Sequence, residues 1–356
     1  ICSRTRRRSS SKPRPDRRAC GPDPGLNDTA GRAAPTRGRP FASPGRTREA
    51  GKQQDFPIMS LFSFLGALEI GLIFSLVALG VLISFRILNF PDLTVDGSFP
   101  LGGAVAATLI SAGYDPFSST CIAIVAGAVA GFITGWLNVR LKIMDLLASI
   151  LMMIALYSVN LRIMGRPNVP LITEPTIFTV LQPDWMPDYV LRPALLAIVV
   201  VVAKLGLDWF FSSQLGLAMR ATGANPRMAR AQGIATGRAT LAGMALSNAL
   251  VALAGALFAQ TQGGADISMG IGTIVIGLAA VIIGETLLPA RRLVLTTLAV
   301  VLGAIVYRFF IALALNSEFI GLKAQDLNLV TAALVTIALV LPATRKKLFA
   351  RKNGGA

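Results

Sequence analysis

The 356 residues include no histidine, only three cysteines, and a charged fraction of just 15%. Without histidine there can be no imidazole-based zinc site, no Ser-His-Asp triad and no imidazole general base. Cys2, Cys20 and Cys121 lie far apart, which excludes a disulfide framework and a Cys-x-x-Cys metal site. No Gly-x-x-x-x-Gly-Lys-Ser/Thr run occurs, so the chain has no phosphate-binding loop of its own. No paired-carboxylate or nucleophile pattern stands out either. Catalytic residues, a metal site and a bound cofactor are therefore not expected, and the chain is not read as an enzyme. What is present is apolar: hydrophobic residues make up 53%, whereas a soluble domain carries about 25% charged residues. The composition is that of an integral membrane protein.

The formal net charge of +16 is unevenly distributed. Residues 1–58 hold 14 Lys and Arg against five Asp and Glu, eight of the 20 prolines, and no apolar run. Low hydrophobicity with high charge cannot offset chain entropy, so this tail is expected to be disordered. An Arg-rich arm could touch anionic lipid or nucleic acid, and Pro13, Pro15, Pro22 and Pro24 spoil a transit-peptide helix. The first Met is Met59, immediately before the apolar region. The tail is accordingly read as a start placed too far upstream and is set aside from fold reasoning, with nucleic acid not expected as a partner.

A helix needs about 20 apolar residues to cross a bilayer core. Charge-free windows near that length occur at 70–85, 97–114, 116–139, 146–161, 239–265, 267–284, 293–307 and 327–344, with a further span at 191–211 interrupted by Lys204 and Asp208. The expected fold is all-α: a polytopic transmembrane helical bundle of about eight to nine spans over 59–345, followed by a basic cytoplasmic tail at 346–356. Lys and Arg mark the cytoplasmic loops. Arg220, Arg227, Arg230 and Arg238 place the 212–238 loop inside, and Arg345, Lys346, Lys347, Arg351 and Lys352 place the C-terminus there too. The 165–189 segment carries Glu174, Asp184 and Asp188 with five prolines and is placed outside.

The stretch Asn89-Phe90-Pro91-Asp92-Leu93-Thr94-Val95-Asp96-Gly97-Ser98 puts two carboxylates, a Pro and a Gly at the mouth of an apolar run. Irregular backbone at membrane depth is tolerated only where it lines a cavity or is buried in protein. A broken or re-entrant helix is expected here, with the N-terminus inside if the segment does not cross. Asp92, Thr94, Asp96 and Ser98 alternate, so an extended chain would project them to one side; they are placed at or near a solute path. Capping of the following helix by Asp96 and Ser98 is the alternative.

Between two spans on the inner side, residues 214–234 have Ala and Met at helical spacing. A Gly-Ala-Asn-Pro turn follows Thr222, and a second stop falls at Gly233. Gly223 is expected at positive φ and Pro226 in the first turn of a new helix, giving two short helices across the inner face. The alternative is a solvated basic loop.

Three stretches carry a family resemblance: Phe85-Arg86-Ile87-Leu88-Asn89-Phe90-Pro91-Asp92-Leu93-Thr94-Val95-Asp96-Gly97-Ser98-Phe99, then residues 220–234, then Ala279-Ala280-Val281-Ile282-Ile283-Gly284-Glu285. They resemble ABC-importer permeases of the branched-chain amino-acid and ribose permease superfamily, nearest to those for tryptophan or tyrosine uptake, over about residues 60–345. The resemblance implies a bacterial inner-membrane subunit that dimerises in membrane lipid. It also implies a separate ATP-binding subunit, with ATP bound there, and a periplasmic or lipoprotein solute-binding protein. The inner loop would be the ATPase-coupling loop, with Arg220, Gly223, Asn225, Pro226, Ala229 and Gly233 as its residues. The rival class is an ion-coupled secondary transporter or channel, which would place more charges at mid-membrane.

Other features have two readings. Gly127, Gly131 and Gly135 form a small-residue stripe that suits either a dimer face or packing within one subunit. Lys204 and Asp208 are four apart and should pair on one helix face. Glu285 is expected at the inner surface and Arg308 at an interface.

Overall fold

The computed structural model describes residues 61–181, 188–289 and 292–316, together with Thr336. The tail 1–58, the window 327–344 apart from Thr336, and the basic tail 346–356 lie outside the described residues. Eleven α-helices are described: α1 (Leu61–Val81), continued by a π-helical stretch Leu82–Ile87, α2 (Val95–Ser111), α3 (Pro116–Leu141), α4 (Asp145–Met164), α5 (Ile177–Val180), α6 (Asp188–Ser212), α7 (Gln214–Ala224), α8 (Pro226–Ala231), α9 (Thr236–Gln262), α10 (Thr273–Leu287) and α11 (Leu293–Asn316). Two three-residue strands, β1 (Asn168–Pro170) and β2 (Gly264–Asp266), pair antiparallel with Val169 opposite Ala265. Local signals explain the ends. Asp115 accepts the Phe117 and Ser118 N–H groups and Pro116 fills the first turn of α3, while Gly165 closes α4 in the left-handed region.

Among the described residues, seven helices are long and apolar enough to cross a membrane, at Phe64–Ile87, Pro116–Leu141, Asp145–Met164, Val190–Ser212, Thr236–Gln262, Ile267–Leu287 and Leu293–Ala314. An eighth crossing is built differently. The end of α1 lies against α7: Gly223 packs on the Ile87 carbonyl, and Leu88 on Gly243 beside Met219. The beginning of α1 lies at the far end of α11, where Phe64 meets Phe309 edge-on at 5.8 Å. After α1 the chain is irregular over 88–94, and α2 then ends among Met164, Val169, Leu171 and Ala265 on the outer side. The irregular stretch and α2 together return the chain across the bilayer. The break expected from the sequence is present and α2 does not turn back, and residue 61 starts α1 at the end of the bundle opposite α7. The Pro and the paired carboxylates signal a break in the helix; they carry no information on whether the chain turns back.

Helix α9 is the centre of the bundle, flanked by α1, α2 and α3. Its alanines and glycines allow backbone-to-backbone approach. A Cβ on Gly127 would run into Ala252 and the Asn248 carbonyl, and one on Gly131 into the Met244 carbonyl. The glycine stripe on α3 therefore packs within the subunit. Large apolar side chains on α3, α4 and α6, such as Val125, Ile154 and Val202, point outward, as hydrocarbon-facing surfaces require.

Gly131→Val should overpack the α3–α9 seam and lower stability by about 1–3 kcal/mol. Gly206, with nothing within 4 Å of an added Cβ, should accept Ala without loss. Thermal unfolding of the two variants in the same detergent checks the contrast, and equal melting temperatures would contradict the packing.

Candidate functional site

Two features stand out: the broken-helix junction inside the bundle and the helical loop on its inner face. At the junction, Asn89 takes φ +54° and turns the chain out of the π-helical stretch. Asp92 then accepts the Thr94 N–H at 2.9 Å and an Asn248 Nδ2–H at 2.8 Å. The Asn248 Oδ1 accepts the Ser98 hydroxyl at 2.7 Å. One amide from α9 thus spans both sides of the break. The Thr94 and Thr134 hydroxyls pair at 3.0 Å, Ser149 donates to the Pro91 carbonyl at 3.3 Å, and Asn160 donates to the Gly97 carbonyl at 3.1 Å. Asp92, Thr94, Ser98, Thr134, Ser149, Asn160 and Asn248 are all fully buried.

Asp96 differs from the other three residues expected with it. Helix α2 begins at Val95, so a period of 3.6, not 2, governs these side chains. Thr94 and Ser98 share one face, and Asp96 faces away from them. Its carboxylate accepts the Ile274 N–H at 2.8 Å and the Gly272 N–H at 3.3 Å, and it is only half-buried. The expectation that all four project to one side is corrected by the helix start. The expected capping of α2 by Asp96 and Ser98 does not occur: α2 has no side-chain cap at its start, Ser98 donates to Asn248, and Asp96 instead caps α10, a different helix. Gly272 takes φ +82°, which lets the chain turn into α10. Both half-helices therefore start at one point inside the bundle, α2 rising outward and α10 descending inward.

On the inner face, the two expected short helices are α7 and α8. Asn225 lies between them and accepts the Arg227 and Met228 N–H groups, each at 3.1 Å. Pro226 occupies the first turn, and Gly233 stops the pair at φ +79°. Ala229 is buried, whereas Arg220, Asn225 and Pro226 are exposed. Gly223 is not at positive φ as expected; it lies inside α7, because the helix continues to Ala224. Glycine is needed there for a different reason, since a Cβ would run into the Ile87 carbonyl.

Beside α7 opens a cleft of about 890 Å³, lined by Phe85, Arg86, Asn89, Arg220, Glu285 and Leu293 among others. Arg86 Nε and Glu285 Oε1 are 2.7 Å apart, and both line this cleft beside α7. Lys204 and Asp208 pair at 2.6 Å, and Thr297 donates to Asp208. Arg308 stands over the Phe74 ring at 5.2 Å from its centroid. Sequence reasoning missed Asn248, Thr134, Ser149, Asn160 and Arg86. The signal for Asn248 and Asn160 was available: each is an amide inside an otherwise apolar window, where an unpaired polar group is costly.

Known proteins resemble this chain over most of its length. The family model described as the permease component of the branched-chain amino acid transport system matches residues 63–341. A tyrosine transport system permease protein of Clostridioides difficile is 39% identical over 265 residues, which are 74% of this chain and 86% of that protein. The galactofuranose transporter permease protein of Escherichia coli K12 is 28% identical over 255 residues, 70% of each chain.

The junction predicts energetic coupling between Asp92 and Asn248. Each single change to Ala should destabilise the protein, and the double-mutant cycle should return an interaction on the order of 0.5–3 kcal/mol. Thermal unfolding of the four proteins measures it; strict additivity would show that the two side chains do not act together.

Proposed function

The chain belongs to the family of branched-chain amino acid transport permeases, and from that premise we propose that it carries an aromatic amino acid, tyrosine in the first instance, into the bacterial cell. It is a multi-pass permease component of an ABC-type transport system. The observation that supports the solute is the 39% identity to a protein named a tyrosine transport system permease, sustained over 86% of that protein. The sugar permease matches at 28% and gives a sugar the weaker support.

In this proposal two copies of the chain sit in the inner membrane. A solute-binding protein delivers at the outer side, and a separate subunit binds ATP below α7 and α8. The geometry that favours ATPase docking is the inner loop. Its helices are capped and stopped at both ends, its buried Gly216, Met219 and Thr222 anchor it to the bundle, and Leu215, Leu217 and Met228 remain exposed beside the arginines. An exposed apolar set rimmed by charge is what a protein partner covers.

The test is reconstitution of the chain with its ATPase and binding protein in liposomes. Tyrosine uptake should require ATP and exceed uptake of leucine and of galactose. Uptake driven by an ion gradient without the ATPase would overturn the proposal. In the same system, Gly223→Val should push α7 off the end of α1. A penalty of about 1–3 kcal/mol corresponds to roughly a 5-fold to 150-fold shift in an equilibrium. Solute-stimulated ATP hydrolysis should fall accordingly while the protein stays in the membrane; unchanged hydrolysis would remove α7 from the coupling role.

A further inference from the structure

We infer that the exposed side of the α2–α10 junction, formed by Asp96, Ser268, Ile271 and Val275, lines the aqueous route of the solute through the permease. The inference deepens the proposed function and rests on it.

Depth comes first. Residues 263–272 run down beside α2. Ala265 packs with Ala107 and Ile110, Met269 lies against Gly103, and Gly270 lies against Pro100 and the Asp96 carbonyl. From Asp96 to the end of α2 the rise is about 22 Å, and α10 descends about as far on the other side, at ~1.5 Å per residue. The two lengths together match the roughly 40–45 Å of a bilayer with its headgroups. Asp96 and Gly272 therefore meet near mid-membrane.

Exposure comes second. The stretch from Gly264 to Gly272 is strand, 3-10 helix and turn, with no continuous α-helical ladder. Ile271 is 79% exposed, Val275 and Ser268 are also exposed, and Asp96 is half-buried beside them. Lipid is excluded as the neighbour of this surface by its polar side chains, because the Ser268 hydroxyl and the half-buried Asp96 carboxylate would meet hydrocarbon at mid-membrane. A dry contact with another protein surface would strand the Asp96 carboxylate away from water. Water satisfies both. The other break does not serve, since Asp92, Thr94 and Ser98 are sealed inside the bundle.

The test uses the full transporter in liposomes, with Cys2, Cys20 and Cys121 replaced by Ser. Ile271→Cys and Ser268→Cys are each treated with a cationic, water-soluble methanethiosulfonate. Val129→Cys and Val202→Cys, on exposed faces of α3 and α6, are the controls. The expected result is modification of residues 271 and 268 at least about tenfold faster than the controls, loss of ATP-driven tyrosine uptake on modification, and slowing by tyrosine during turnover. Reactivity equal to the controls would place the junction against lipid and overturn the inference. So would an unreactive Ile271→Cys that forms a disulfide between two copies, which marks a dry interface. Rapid modification with no effect on uptake would mark an outer surface away from the route and would overturn the inference as well. Uptake by the cysteine-free parent is read separately: if the parent shows no ATP-dependent uptake, the transport proposal fails, independently of where residue 271 lies.

Discussion

Backbone groups released from a helix at membrane depth must find partners inside the protein, and the rest of this structure is arranged around that requirement. The irregular stretch 88–94 and the first turn of α2 are held by single polar side chains from α3, α4 and α9: Ser149 donates to the Pro91 carbonyl, Asn160 donates to the Gly97 carbonyl, Thr134 pairs with the Thr94 hydroxyl, and Asn248 donates to the Asp92 carboxylate. None of these helices could present them without close approach. The polar residues and the glycines next to them are therefore one device. Asn248 sits where Gly127 and Gly131 bring α3 onto α9, and its own carbonyl lies where a Cβ on Gly127 would have to be.

The same device explains why α9 is poor in bulky residues over its buried length. Gly102 of α2 packs on the Ala252 carbonyl and Gly255 of α9 packs on the Phe99 carbonyl. The contact is reciprocal, one turn apart, and brings two backbones together with no side chain between them. In lipid, apolar side chains gain little by leaving one apolar medium for another, so association relies on such packing and on the few interhelical hydrogen bonds. Outward, the demand reverses. Val125, Ile154 and Val202 are large and exposed because the hydrocarbon, not water, is their solvent.

Much of this was legible in the sequence because composition and length dominate in a membrane. The windows at 116–139, 146–161, 239–265 and 293–307 each lie within a described helix or run only a few residues past its end, and Pro226, Asn225 and Gly233 mark the inner loop by turn chemistry alone. What was not legible depended on helix phase and on partners distant in the chain. Whether residues 92–98 are extended or helical decides which of them share a face, and the sequence permits both. Nothing local to Asp96 announces that its partners are the N–H groups of residues 272 and 274, far along the chain. Gly223 shows the same limit in another form. A glycine required for left-handed backbone and one required for close packing look alike until the Ile87 carbonyl is placed beside it.

The inner loop and the junction are joined by a closed chain of contacts. Gly223 of α7 rests on the carbonyl of Ile87, and five residues later the chain reaches Asp92. Asp96, in the first turn of α2, holds the start of α10. The last turn of α10 carries Glu285, which returns to Arg86, the neighbour of Ile87. Packed helices are nearly incompressible, so a displacement of α7 cannot be absorbed at Ile87 and is passed on. It reaches α10 at both ends, through the ion pair at the inner surface and through the Asp96 carboxylate at mid-membrane. The irregular stretch 88–94 lies between those two attachments, where a change of backbone angle breaks no helix. A rigid α1–α2 hairpin would transmit the same push only as a tilt of the whole pair. Because the helix is broken, α1 and α2 are joined by a stretch that belongs to neither helix, and α2 is tied on one side to α9 through Asn248 and Ser98 and on the other to α10 through Asp96.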